Sequence, residues 1–191
     1  MKLFSGFILP QTFLLCMSFL MLSTTVVAQN APRFKKYPIE KTSCAVYFPS
    51  EPTQIQHSTS NDSSDLYICS ATWNEQEFGF ILVQFSEEIK EESSIQKDVL
   101  NKLTMSYLDF LKEQLEIKNS AGYGLGHIHP ENESAIGIID YWEDAEGKEY
   151  EVKTWTDAQF MAVMFIIHTP ENELNYNIRE MYFHGFRFPE K

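Results

Sequence analysis

Residues 159–168 read Gln-Phe-Met-Ala-Val-Met-Phe-Ile-Ile-His. Both the odd and the even positions of this run are apolar, so it reads as a strand covered on both faces, not one that turns half its side chains to water. The stretch before it, residues 149–156, alternates instead. Tyr150 and Val152 fall on an inward face, and Glu149, Glu151 and Lys153 fall outward. Gly147 within residues 144–148 marks a hairpin turn between this strand and another at 134–142. Residues 121–129, loosened by glycine, read as a further short strand. Upstream, residues 78–85 are again apolar on both faces and supply a second central strand.

The remaining elements follow from local pattern. Residues 42–48 are expected to form the first strand, stopped by Pro49 and Pro52, with a second at 53–59 and a third at 66–73. The serine- and aspartate-rich run 58–65 is a hairpin loop by composition. Ile95, Val99, Leu103, Tyr107, Phe110, Leu111 and Leu115 recur at three- and four-residue intervals, which predicts a helix over about 94–117. Ser93 with Gln96 suggests a capping box, and Glu91 and Glu92 sit near the positive end of the helix dipole. Thr169-Pro170 reads as the start of a last helix carrying Leu174, Ile178, Met181 and Tyr182, after which Phe186 and Phe188 return to the core. Two strands covered on both faces then predict an α+β fold, a three-layer α-β-α sandwich around a mostly antiparallel sheet.

This element order, with Ala-Val-Tyr-Phe-Pro-Ser-Glu-Pro at 45–52 and Phe-His-Gly-Phe-Arg-Phe at 183–188, resembles the PsbP/Mog-like fold group, which includes many bacterial exported proteins. The resemblance spans about residues 40–188 and implies the same layered fold. It brings no catalytic motif, and members differ in function, so no functional residue is carried over.

The N-terminus implies export. Lys2 precedes an apolar run from Leu3 to Leu22, and Val26-Val27-Ala28 ends on small residues, the pattern of a signal peptide cut after Ala28. A run of this length also suits an uncleaved anchor. Pro10, Gln11 and the Ser/Thr group interrupt it and favour cleavage. The expected organisation is a signal at 1–28, a loose lead-in at 29–41 with Arg33, Lys35 and Lys36, and a single domain at 42–191. The chain carries a net charge of −12. Losing Lys2 with the signal makes it one unit more acidic. Such a charge disfavours nucleic acid and anionic membrane surfaces as partners and leaves another exported or envelope protein. The compartment is periplasmic or extracellular. The sequons at Asn61 and Asn132 matter only in a eukaryotic host.

Of three cysteines, Cys44 and Cys69 remain after cleavage. Each has the parity of the apolar residues in its strand, so adjacent strands could present them as a disulfide. Closing a loop of about 25 residues would contribute roughly 3 kcal/mol in the chain-entropy model. Two buried free thiols are the other reading.

Candidate chemistry is sparse. His127 and His129 lie two apart, so on a strand they share a face, and with Glu131 or Glu133 nearby they are the candidate metal ligands. A polar loop or edge strand is the competing reading. His57, His168 and His184 are isolated, and His168 ends a buried strand. No Gly-x-Ser-x-Gly, phosphate loop or dinucleotide fingerprint occurs, and Gly122, Gly124 and Gly126 lack the cationic residue that phosphate binding needs. The carboxylates at 140–151 are too many to single out a general acid or base. Trp155 shares the outward parity of Glu149 and Lys153, so with Trp142 it is a candidate partner surface unless a further layer covers it. No cofactor is expected. The expected function is a non-catalytic exported binding or accessory module. A metal-binding protein or metal-dependent hydrolase centred on His127 and His129 is the alternative, and a mainly structural surface protein a third.

Overall fold

The structure, a computed structural model, describes residues 31–89, 93–172 and 175–190. The signal expectation at 1–28, the acidic pair Glu91–Glu92 and Leu174 lie outside the described residues, as does the side chain of Ser93. Pro32–Lys191 is one compact unit.

The strands are β1 (Lys35–Pro38), β2 (Ala45–Phe48), β3 (Gln56–Thr59), β4 (Asp65–Trp73), β5 (Gln76–Gln84), β6 (Asn119–Ser120), β7 (Gly124–His129), β8 (Asn132–Glu143), β9 (Glu149–Thr156), β10 (Phe160–His168) and β11 (Phe186–Arg187). Two helices interrupt them among the described residues, α1 (Ser93–Gln114) and α2 (Tyr176–Phe183). The large sheet runs β3-β4-β5-β10-β9-β8-β6, with β7 also on the outer edge of β8, and every pairing is antiparallel. As the apolar runs predict, β5 and β10 are adjacent and central, and β10 is buried almost throughout.

The expected three-layer α-β-α sandwich is corrected. Among the described residues 45% are strand and 18% helix, a β-rich fold. The long helix α1 packs on β8 and β9 of one face. The other face is closed by a three-stranded sheet, β1-β2-β11, together with the two-turn α2. Double-sided apolarity holds for β10, buried almost throughout, but β5 is covered fully only on the small-sheet side. Such a pattern could not tell whether a layer is helix or sheet, because either one removes the same apolar area from water.

Other boundaries moved for local reasons. Residues 35–38, within the expected lead-in, form β1 because Lys35–Pro38 pairs with Phe48–Ala45. The last helix starts from Asn175, whose side chain accepts from the Asn177 N–H, and not at Thr169-Pro170. Lys153, expected outside, is buried, and so are Thr154, Trp155 and Thr156. No helix of the described residues is long and apolar enough to cross a membrane.

The sheet separates two cores. On one side, Phe78, Phe80, Trp155, Met164 and Ile166 meet Phe48, Tyr182 and Phe186 of the small sheet and α2. On the other, Ile138, Trp142, Val152, Val163 and Phe165 meet Leu100, Leu108 and Leu111 of α1. We refer to these as the small-sheet side and the α1 side.

Candidate functional site

The two candidate ligands His127 and His129 stand on the outermost strand, β7. His127 pairs with Gly137 of β8, which pairs in turn with Trp155 of β9, and His129 meets Trp155 edge-on at 4.9 Å. Both therefore belong to the small-sheet side, as their spacing implied. His129 is only 1% exposed. Its Nδ1 accepts the Glu131 N–H at 3.2 Å, which makes Nε2 the protonated nitrogen, donating to the Phe186 carbonyl at 3.1 Å. With both nitrogens engaged, His129 has no lone pair to give a cation. Among the described residues no group of three His, Cys, Asp or Glu side chains could hold a metal. His129 works instead as a tie between β7 and β11.

His127 lies in a different neighbourhood. Lys153 Nζ sits over the Trp155 ring at 4.7 Å and donates to His184 Nε2 at 3.1 Å, and His184 Nδ1 faces Glu180 at 3.6 Å. Burial, then the Lys153 charge, holds His127 and His184 below the ordinary imidazole range. Burial likewise holds the Lys153 ammonium below its usual value. Neutral imidazoles beside a buried ammonium are a satisfied packing arrangement.

The two tryptophans are corrected as a partner surface. Trp155 is 1% and Trp142 2% exposed, and they point into opposite cores. Trp155 Nε1 donates to the Phe183 carbonyl at 2.7 Å, so α2 is the cover over that face of β9. Trp142 Nε1 donates at 2.6 Å to Asp140, a fully buried carboxylate that also accepts from Ser120 and the Gly122 N–H and lies 3.6 Å from Lys112 Nζ. Asp140 shares the parity of Ile136, Ile138 and Trp142, and that was the one signal in the sequence that set it apart from its acidic neighbours.

Cys44 and Cys69 are free thiols here, both buried in the small-sheet core. They face it from different sheets and not from paired strands, Cys44 beside β2 and Cys69 on β4. Burial pushes each thiol up to about 12.

The most ligand-like feature was not singled out by sequence. Because α1 covers β8 and β9, the α1 side of β4 and β5 is left open. A groove with a volume of about 390 Å³ lies there, lined by Ile68, Ile81, Leu111, Leu115, Phe165 and Ile167. Ile68 is 41% exposed although it is paired within the sheet. On α1, Lys112 turns toward Tyr123 and Asp140 on the β7–β8 side. Helical periodicity puts Leu103 and Phe110 on the opposite flank, and Phe110 is 50% exposed. Thr53 and Gln56 stand at the mouth of the groove, where β3 is the end strand of the sheet and exposes every residue. Helical spacing identified α1 as amphipathic but could not say how far across the sheet the helix reaches.

No protein-family model matches the chain, and no curated protein matches it.

Proposed function

We propose that the protein is an exported, non-catalytic binding module that takes an extended segment of another exported or envelope protein along β3. The observation that carries this reading is the open apolar groove beside a free sheet edge. An incoming strand would continue the main-chain ladder at β3, and the rest of the segment would cross from that edge into the groove over Ile68. An exposed apolar groove next to an unpaired edge is an aggregation hazard unless it has an occupant. The N-terminal pattern supports export.

The test is affinity capture from the native envelope by the wild-type protein and by Ile68→Glu, which puts a charge into the groove at an already exposed position. Both should melt at closely similar temperatures. A partner held by the wild type and lost from Ile68→Glu is the expected result. A partner retained equally by the variant, or no partner at all, overturns the reading.

A further inference from the structure

A second cavity, about 530 Å³, opens at the end of β8, β9 and β10; its acidic floor lies on the small-sheet side, and Trp142 and Tyr150 border it from the α1 side. Its floor follows from strand register. Asn119, Glu143, Glu149 and His168 form one row across β6, β8, β9 and β10, and Tyr141 and Glu151 stand in the next row. Glu143 and Glu149 are directly opposed, a cross-strand pair of like charges that destabilises a sheet unless something lies between them. Asn119 Nδ2 donates to Glu143 at 3.0 Å, and Arg179 Nη1 reaches Glu151 from α2 at 3.3 Å. Lys148, on the turn beside Glu149, pairs with Glu146 at 2.9 Å. Among the described residues, Arg179 is the Lys or Arg side chain that pairs with any of the carboxylates of Glu143, Glu149 and Glu151.

His168 supplies the independent observation. Its side chain is 5% exposed and lines the cavity, and its Nε2 has no hydrogen-bond partner. Nδ1 lies 3.2 Å from the Thr169 carbonyl and 3.7 Å from Glu149 Oε2, both acceptors, so it carries the donated proton, and in the neutral ring Nε2 keeps a lone pair. That lone pair faces Glu151 Oε1 at 3.5 Å, acceptor against acceptor. An N–H donor placed between them would satisfy both, and a positive charge on it would relieve the opposed glutamates.

We propose that this cleft binds the ammonium or guanidinium group of a cationic ligand, held by Glu149, Glu151 and the His168 Nε2 lone pair, with the exposed Tyr141 ring beside it. The carboxylates and His168 stand on the face away from the groove, which the cleft meets at Tyr150. The acidity of the whole chain raises the local concentration of such cations.

The test is imidazole-detected nitrogen NMR of the purified protein at pH 7.5, titrated with ethylguanidinium, butylammonium, tetramethylammonium and calcium. Saturable displacement of the His168 Nε2 resonance by ethylguanidinium or butylammonium is expected, with none from tetramethylammonium, which has no N–H. The exposed substitution Glu149→Gln should weaken binding about tenfold or more. A blocked Gly-Arg-Gly peptide that binds tighter than ethylguanidinium makes a protein side chain the source of the group. Equal binding makes it a free small cation. An equal response to tetramethylammonium, a response to calcium alone, unchanged affinity in Glu149→Gln, or a His168 already protonated at both nitrogens without ligand would each overturn the proposal.

Discussion

Gly137 has no side chain because Trp155 crosses β8 at that point. A Cβ built there would lie 2.5 Å from Trp155 Cζ3 and 2.8 Å from the Cβ of His127. Gly137→Ala should therefore cost about 3 kcal/mol by overpacking, read as a lower urea midpoint at unchanged slope. The buried histidines make a separate prediction. His127, His129 and His184 are all held below 6.5, chiefly by burial. The unfolded chain then binds protons that the folded chain refuses, so their contribution is present above about pH 6.5 and lost as pH falls below it. The carboxyls of Asp65 and Asp109 are held below their usual range by hydrogen bonds from Thr59 and Tyr123, so their contribution persists to lower pH. The melting temperature should drop between pH 7 and pH 5, with a shallower drop in His129→Gln. The thiols are silent at the same scale. With both pushed up to about 12, neither should react with a thiolate-directed reagent at pH 8 until denaturant is added, when both should. A chain isolated with a Cys44–Cys69 bond would titrate neither.

At the scale of elements, each helix is fastened to the large sheet by buried polar contacts as well as by apolar packing. On the α1 side, Thr104 Oγ1 meets Thr156 Oγ1 at 2.9 Å, and Lys112 reaches Asp140. Asp140→Asn keeps the shape but removes the charge opposite Lys112 and one acceptor from a carboxylate with several donors. We expect a loss of about 3 kcal/mol and exposure of Trp142, seen as a red shift of its fluorescence. On the small-sheet side, the Tyr182 hydroxyl donates to the Gly79 carbonyl at 2.6 Å, joining α2 to β5. The two helices were not equally legible. α1 repeats its apolar positions over six turns, and its position in the chain came out nearly right. α2 has only two turns, and a capping asparagine at 175 outcompeted the more familiar Thr-Pro start a few residues earlier. β1 was missed because Lys35-Lys36-Tyr37-Pro38 has no alternation of its own. It is a strand only because β2 offers it an edge.

For the whole molecule, export predicts that protein recovered from outside the cytoplasm begins at Gln29, read by N-terminal sequencing. A start at Met1 in a membrane fraction would show an anchor instead. Ile68 lies on the α1 face and Glu149 on the small-sheet face, with Tyr150 bordering both cavities, so Ile68→Glu should leave cation binding unchanged and Glu149→Gln should leave partner capture unchanged. By itself the sequence determined what one strand or helix can encode. It determined that β10 is central, which helix is amphipathic, and that the strands join through hairpins, because periodicity records the apolar faces an element offers. Only the tertiary structure decided what makes each face dry. Burial of Trp155 under α2, the small sheet in place of a helical layer, the engagement of both His129 nitrogens and the gap beside α1 all depend on partners far away in sequence. A residue's hydrophobic pattern reports that it is buried but carries no record of what buries it.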